Sequence, residues 1–276
     1  SRVRSAGQKL KGFGGTSNPV KLPDLFPRLG KILNGAYGRQ LTSVEVCLLI
    51  DEAAVTIVAG NIRRSAGMRQ FSSDDEAAAG AKDNLWQQDD EGNWRIDPAR
   101  DALRMANHTR VYHQTPDYQT VLKAVTKQFH SGEGAIQFAP EAIARSNADL
   151  LDELEKKKEF LTRYGRFGSG AARQYLKTLA IDEGLEITDK ELDHRMDRYG
   201  LNPCGEILGA DFHCNLSEVH LNKIDPTDFE TLDKAFEAGA LAVAALLHHQ
   251  FKEPRYQESR EMDPIVGVSF TGFFDF

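Results

Sequence analysis

Strand-like and helix-like segments alternate along this sequence, and this alternation restricts its fold more than any other feature. Residues 212–221 have the composition of a strand, and Asp225-Pro226-Thr227-Asp228 follows as a helix-start signal. Apolar residues then recur at steps of three and four, the repeat of one helical face: Phe229, Leu232, Phe236, Ala240, Val243 and Leu247. Strands that alternate with helices of this length predict an α/β architecture.

The same alternation is present upstream. Residues 106–113 predict a strand followed by a helix, and further helices are expected over 147–164 and 173–179. Thr42-Ser43-Val44-Glu45 is a capping-box pattern, so it predicts a helix start, and Gly60 is a natural stop for that helix. Because this helix is apolar around most of its circumference, we expect it to be buried.

Composition excludes several classes of protein. Of the 276 residues, 41% are hydrophobic and 27% are charged, which is ordinary for a globular protein and unlike a disordered one. The net charge of −7 argues against direct nucleic-acid binding and against attachment to a membrane surface. Three cysteines cannot build a disulfide scaffold, so a reducing, cytoplasmic location is expected.

Residues 72–100 are acidic and turn-rich, and they predict a surface excursion with a short hairpin.

The segment from residue 202 to residue 214 carries the strongest chemical signal. Cys204 stands between Pro203 and Gly205, which predicts a constrained turn, and the carboxyl group of Glu206 follows. Three interpretations are open from these residues. The cysteines can be incidental, or a reactive thiol on the turn can work with Cys214 and a carboxylate base. The third is a metal-binding module, whose ligands would be Cys204, His213, Cys214 and His220.

Several motifs resemble those of the ribonucleotide reductases. Asn202-Pro203-Cys204-Gly205-Glu206-Ile207 resembles the hallmark of their large subunits, and residues 214–222 resemble the strand that carries a redox cysteine. Other similar segments follow the chain order of the family: Lys11–Pro19, a specificity loop; Ala59–Ala66, an Arg-Arg segment; and Ser131–Gly134, a Gly-Glu-Pro-Gly segment that lacks the proline here. Residues 11–19 and 212–222 are most similar to the adenosylcobalamin-dependent, class II reductases.

The resemblance implies a fold. The chain is expected to form part of a ten-stranded α/β barrel, with residues 1–276 as a partial catalytic domain, residues 1–20 as the specificity-loop region and about 199–211 as a finger loop that carries the radical cysteine. The second redox cysteine, the phosphate-binding loop and the C-terminal cysteine pair of the family have no counterparts here. The chain is therefore expected to be an internal fragment that is inactive alone and needs the remainder of the same enzyme.

The resemblance also implies a reaction. A ribonucleotide, expected to be a triphosphate, would be reduced to a 2′-deoxyribonucleotide, with adenosylcobalamin as the radical source and thioredoxin as the reductant. Cys204 would carry the thiyl radical, Glu206 would be the general base, and Asn202 would bind the ribose hydroxyls. Cys214 would be one partner of the redox-active disulfide. No metal site in the chain itself is expected.

Two further groups of residues have weaker assignments. Gly14, Gly15, Thr16 and Ser17 would contact the substrate base or relay the identity of a deoxynucleotide effector, although a mobile terminus is the alternative for this loop. Arg63 and Arg64 would lie near a phosphate, or else form a solvated pair at a helix end. The remaining alternatives are a fragment of a class I or class III reductase, a non-catalytic Cys/His metal-binding module, and a binding-only homologue.

Overall fold

The computed structural model describes residues 3–9, 16–56, 58–59, 62–63 and 66–276, with only the backbone of 58–59 and 62–63. The helices are α1 Leu22–Gly35, α2 Ser43–Val55, α3 Glu76–Gly80, α4 Tyr118–Ser131, α5 Ala139–Ser146, α6 Leu154–Phe167, α7 Ser169–Asp182, α8 Asp189–Met196, α9 Phe229–Leu246 and α10 Pro254–Met262. The strands are β1 Val58–Ala59, β2 Ile62–Arg63, β3 Gly67–Ser72, β4 Trp86–Gln88, β5 Trp94–Ile96, β6 Ala106–Tyr112, β7 Ala135–Phe138, β8 Gly200–Leu201, β9 Leu208–Gly209, β10 Asn215–His220 and β11 Val266–Thr271.

Two parallel sheets organise these elements. One has the strand order β3-β6-β7, and α4 makes the crossover between its last two strands. The other joins β10 to β11, with α9 and α10 between them in the chain. Parallel strands joined through helices confirm the predicted α/β class. The strands in the described part of the chain do not close a barrel, so the ten-stranded barrel stays a prediction.

Helix α2 begins as its sequence predicts and ends earlier. The Oγ1 of Thr42 accepts from the backbone N–H of Glu45 at 3.2 Å, and Glu45 Oε2 accepts from the N–H of Thr42 at 2.8 Å. This is the predicted capping box, but the helix ends at Val55 and not at Gly60. The expected burial is wrong on one face, since Val46 is 43% and Ile50 49% exposed. The helix packs against α1 and residues 101–105, which cover its other face.

Helices α5 to α8 form a helical cluster with a closed apolar core, and the side chains at its centre are fully buried: Leu150, Leu151, Phe160, Leu176 and Leu192. The helix expected from residue 147 begins at Leu154 instead. The cause is the buried side chain of Asn147, whose Nδ2 donates to the carbonyl oxygens of Ile143, at 2.9 Å, and Arg195, at 3.1 Å. The first of these bonds satisfies a backbone carbonyl group in the last turn of α5, and the two together keep residue 147 outside the next helix.

The excursion over residues 72–100 is confirmed. Strands β4 and β5 pair as a short antiparallel hairpin, and Trp86 and Trp94 on it are 58% and 66% exposed. The short helix α3 precedes the hairpin, and Asp75 caps it by accepting from the N–H of Ala78 at 2.9 Å. No helix in the described part of the chain is long and apolar enough to cross a membrane.

Candidate active site

The Asn-Pro-Cys-Gly-Glu segment forms the turn of a short hairpin. Strands β8 and β9 pair antiparallel through Gly200 with Gly209 and Leu201 with Leu208, and residues 202–207 connect them. We call residues 202–207 the cysteine turn. Inside it, the N–H of Gly205 donates to the carbonyl oxygen of Asn202 at 2.9 Å, and Gly205 has a φ of 75°. Glycine adopts this left-handed conformation without the steric penalty of a side chain, so its position after Cys204 has a structural cause.

The side chain of Asn202 holds the cysteine turn together. Its Oδ1 accepts from the backbone N–H of Glu206 at 3.1 Å and from that of Ile207 at 3.2 Å. Its Nδ2 donates to the carboxylate Oε1 of Glu206 at 2.6 Å. The amide therefore fixes both the backbone of the turn and the orientation of the carboxylate. One N–H of the amide group is left for a ligand.

Cys204 lies at the exposed tip of the turn and lines a cavity of about 320 Å³. Glu133 and Asn107 are also in its wall, and Asn107 Nδ2 donates to the carbonyl oxygen of Pro203 at 2.6 Å. Sequence reasoning assigned no role to either residue. The only signal for Glu133 was the Gly-Glu-Pro-Gly resemblance, and nothing marked Asn107.

An ion pair holds the carboxylate of Glu133 at this cavity. Lys82 Nζ lies 2.9 Å from each of its carboxylate oxygens and also donates to the carbonyl oxygen of Ala106 at 2.6 Å. The side chain of Lys82 is only 6% exposed, whereas that of Glu133 is 41% exposed. The cation is thus fixed by the protein, and the carboxylate is accessible from the cavity.

Glu206 lines a second cavity, of about 400 Å³. Arg145, Ser146, Arg198 and Asp263 contribute to the same wall. The cysteine turn therefore contributes to the walls of two cavities, with Cys204 in one wall and Glu206 in the other. Arg198 is not a spare cation, because its guanidinium pairs with Asp263 and donates to Asn147 Oδ1 at 3.1 Å.

Cys214 lies just before strand β10 and is half-buried. Burial raises the pKa of its thiol, and the charge of Glu206 raises it further. None of the three described cysteines forms a disulfide.

His213, one of the four residues of the metal-binding interpretation, lies in an aromatic cluster. The imidazole of His213 packs against the rings of Phe251 and Tyr256, with centroid distances of 4.3 and 4.9 Å. Burial lowers the pKa of His213, and the charge of Arg260 lowers it further. The part of the chain that the structure describes contains no group of three or more His, Cys, Asp or Glu side chains able to hold a metal ion. The four candidate ligands are therefore not brought together.

Of the other predicted site residues, the structure describes Thr16, Ser17 and the backbone of Arg63, and their backbone contacts lie outside the cysteine turn. Thr16 forms an isolated bridge with Lys9, and the N–H of Ser17 donates to the carbonyl oxygen of Gln8 at 2.8 Å. Gly14, Gly15 and Arg64 lie outside the described residues. The backbone of Arg63 pairs with that of Val58 in the β1–β2 hairpin. The roles assigned to these residues stay predictions.

Comparison with known proteins gives one consistent set of relatives. The chain is 41% identical over 283 residues to an adenosylcobalamin-dependent ribonucleoside-triphosphate reductase of Lactobacillus delbrueckii subsp. bulgaricus. It is 40% identical over 283 residues to the enzyme of that name from Lactobacillus leichmannii, and 27% identical over 280 residues to that of Levilactobacillus brevis. No protein-family model matches the chain. No solved structure matches it either.

The matches cover different shares of this chain and of its relatives. Each of the three covers 100% of this chain but only 30% of the relative, so the chain spans about 30% of the length of the curated relatives it matches. The resemblance read from the cysteine turn is thereby confirmed for the chain as a whole. The similarity runs along the full length of the chain, which is homologous to a segment of the adenosylcobalamin-dependent ribonucleoside-triphosphate reductases.

Proposed function

We propose that this chain is a segment of the catalytic α/β barrel of a class II ribonucleotide reductase and that it carries the radical cysteine, Cys204. The observation that carries the proposal is the cysteine turn, where a thiol, a carboxylate and the amide that orients it lie within five residues. Because the chain spans 30% of its relatives, the remainder of the same enzyme is part of the proposal. It would complete the substrate site, and the segment would be inactive without it.

Adenosylcobalamin is the proposed cofactor, and the cavity beside Cys204 fits part of it. The wall offers the carboxylate of Glu133 and an exposed thiol, which suit a polar, hydroxyl-bearing group. At about 320 Å³ the cavity is at the lower end of the range for small-molecule pockets, so it suits a nucleoside and not the larger corrin ring. Glu133 and Cys204 would face the adenosyl group. When bound, the cofactor supplies an organic radical by homolysis of its cobalt–carbon bond.

The first step on the protein is loss of the thiol hydrogen atom from Cys204. The resulting thiyl radical removes the 3′ hydrogen of the ribose and returns a hydrogen atom there at the end of the cycle. The turn suits this role because it is fixed by internal hydrogen bonds and exposes the sulfur at its tip. Hydrogen transfer needs close and oriented contact between the reacting atoms, which a fixed turn provides.

Glu206 is the proposed general base, and Asn202 the proposed ligand of the ribose hydroxyls. The carboxylate already accepts one hydrogen bond from Asn202 Nδ2, which orients it, and its second oxygen remains for the 3′-hydroxyl. As the base removes the 3′-hydroxyl proton, the 2′-hydroxyl would take a proton from a protein thiol, the bond between C2′ and its oxygen would break, and water would leave.

Two thiols supply the two electrons for this reduction. Cys214 is proposed as one of them, and a second protein thiol as the other, and the pair becomes a disulfide. Thioredoxin, a dithiol reductant, would reduce this disulfide by thiol–disulfide exchange and become oxidised itself. The raised pKa of Cys214 keeps it a protonated thiol near neutral pH, so that it can give both a proton and an electron.

The remaining assignments extend this proposal to specificity and location. Gly14, Gly15, Thr16 and Ser17 would transmit the identity of a deoxynucleotide effector to the substrate base, and Arg63 and Arg64 would lie near a phosphate. The substrate would be a ribonucleoside triphosphate, as the names of the relatives state for those enzymes. The site of action would be the cytoplasm, where thiols stay reduced.

The test is the cofactor dependence of the full-length enzyme that contains this sequence. Reduction of ribonucleoside triphosphates is measured with adenosylcobalamin and a dithiol, without a second protein subunit. We expect deoxynucleotide formation that depends on the cofactor. Turnover that needs a radical-bearing subunit or a glycyl radical instead would assign the chain to a class I or class III reductase. No reduction under any of these conditions would overturn the proposed function.

A further inference from the structure

Three side-chain amides from three neighbouring strands reach the hairpin that carries Cys204. Gln70 is on β3, Asn107 on β6 and Gln137 on β7, which are adjacent and parallel in the sheet. In the register of the sheet, Thr109 on β6 pairs with Gln70 on β3 and with Ala135 on β7. Asn107 lies two residues before Thr109 on β6, and Gln137 lies two residues after Ala135 on β7. Since side chains alternate between the faces of a strand, all three amides lie on the same face of the sheet.

Gln70 and Gln137 hold the base of the hairpin. The Oε1 of Gln70 accepts from the backbone N–H of Leu201 at 2.8 Å, and its Nε2 donates to the carbonyl oxygen of Tyr199 at 3.1 Å. The Nε2 of Gln137 donates to the same carbonyl oxygen at 2.9 Å. The two glutamines are also joined to each other, because Gln70 Nε2 donates to Gln137 Oε1 at 2.5 Å.

Asn107 holds the tip. Its Nδ2 donates at 2.6 Å to the carbonyl oxygen of Pro203, which belongs to the peptide group that joins Pro203 to Cys204. A shift of this contact would move the α-carbon of the cysteine directly. The hairpin itself contributes little rigidity, since β8 and β9 pair over only two residues each.

We propose that Gln70, Asn107 and Gln137 form an amide clamp that positions the sulfur of Cys204 for hydrogen-atom transfer. Four hydrogen bonds in the described part of the chain join the backbone of residues 199–207 to side chains outside that segment. All four are made by these three residues. The inference rests on the proposed function of Cys204. The three residues are positioning residues, because each acts on the turn and not on the substrate.

The expected loss of rate follows from how strongly hydrogen-atom transfer depends on the position of the reacting sulfur. A misplacement of the reacting group by about 1 Å can lower a rate by about 10²-fold. Loss of one amide contact at the tip would allow a displacement of that order, because in the described part of the chain no other side chain makes a hydrogen bond to the Pro203 peptide. Gln137 is not in the wall of the Cys204 cavity, so nucleotide binding by a Gln137 variant should not change, whereas Asn107 is in that wall and its variant is judged by exchange and kcat alone.

Two variants of the full-length enzyme test the clamp. Asn107→Leu removes the donor at the tip and keeps the size of the side chain, and Gln137→Glu removes the donor to Tyr199 with little change of shape. Gln87→Glu is the matched control, because Gln87 is an exposed glutamine on the β4–β5 hairpin, away from the clamp. Amide hydrogen exchange of the peptide covering residues 199–207 is measured without cofactor and nucleotide, and kcat and KM are measured with them.

The clamp predicts, for both variants, faster exchange confined to residues 199–207 and a kcat lowered about 10²-fold, and for Gln137→Glu also an unchanged KM, with neither the faster exchange nor the lower kcat in the control. Unchanged exchange, exchange that rises equally throughout the β3-β6-β7 sheet, or a kcat equal to that of the control would each overturn it. If exchange rises locally but the parent enzyme reduces no ribonucleotide, then the clamp is a structural feature that remains and the proposed function fails.

Discussion

The side-chain amide of Asn202 donates to the carboxylate of Glu206 over 2.6 Å, and the same side chain accepts from the backbone N–H of Glu206. One residue thus fixes the position and the orientation of the proposed base. The thiol of Cys204 lies between these two residues in the chain and faces a different cavity. This arrangement determines how substitutions in the turn should act.

Glu206→Gln should lower kcat by about 10²-fold or more, because the amide cannot accept the proton of the 3′-hydroxyl. KM should change little, since the size of the side chain and its contact with Asn202 Nδ2 are retained. Steady-state kinetics of ribonucleotide reduction by the full-length enzyme measure both values. Glu230→Gln, on the exposed surface of α9, is the control. A kcat equal to that of the control would remove Glu206 from the role of base.

Glu206→Gln should also make Cys214 more reactive. Burial and then the charge of Glu206 raise the pKa of this thiol, so removal of the charge lowers the pKa and increases the thiolate fraction at a given pH. Alkylation by iodoacetamide, followed site by site with mass spectrometry between pH 7 and 9.5, measures this shift. Cys47 is an internal control, because burial and the charge of Asp51 raise its pKa. An unchanged profile for Cys214 would contradict the placement of the two groups.

Gly205→Ala should strain the cysteine turn. The φ of 75° at this residue costs an L-amino acid about 1–2 kcal/mol, and a backbone change that relieves this strain would displace the neighbouring Cys204. We therefore expect a lower kcat and faster hydrogen exchange in residues 202–207. Gly165→Ala is the matched control: Gly165 lies inside α6 with space for a methyl group, and alanine there should stabilise the helix by about 0.5–1 kcal/mol. Equal effects of the two substitutions would contradict this account.

Asp263 should make the protein sensitive to acid. Burial raises the pKa of this carboxyl, but the hydrogen bond with His194 and the charge of Arg198 outweigh burial and hold the pKa below its ordinary value. A lowered folded-state pKa contributes stability that is present above about pH 4 and is lost as the pH falls through the folded-state value. Asp263→Asn should therefore lower the free energy of unfolding at pH 7 by about 3 kcal/mol and weaken its dependence on acid.

Urea unfolding between about pH 3 and 7 measures this loss. Asp233→Asn, at an exposed position on α9, serves as the control. A variant at residue 263 as stable as this control at pH 7 would show that the ion pair contributes nothing.

Local signals in the sequence predicted local structure well. Thr42 and Glu45 form the capping box that their spacing indicates, helix α9 lies where its apolar repeat places it, and β6 lies within the strand predicted over residues 106–113. The cysteine turn could also be predicted from the sequence, because Pro203 and Gly205 are turn-forming residues on both sides of Cys204. These features depend on interactions between residues a few positions apart.

Features that depend on contacts between residues far apart in the sequence could not be predicted from it. The clamp joins Gln70 and Gln137 to residues more than sixty positions away, and no periodicity marks these glutamines. The start of α6 at Leu154 depends on the bonds of Asn147 to α5 and to Arg195. Helix α1, with Pro27 inside it, gave no expectation at all, since proline weakens the signal for a helix. In each case tertiary packing decided the outcome.

The central claim is that Cys204 carries the radical, and Cys204→Ser tests it most directly. The full-length enzyme and this variant are compared in the reduction of a ribonucleoside triphosphate with adenosylcobalamin and a dithiol, and Cys47→Ala serves as a control for loss of a buried thiol. We predict deoxynucleotide formation by the parent and the control and none by the Cys204 variant, although the exposed position allows it to fold. Turnover by the variant close to that of the parent would contradict the claim.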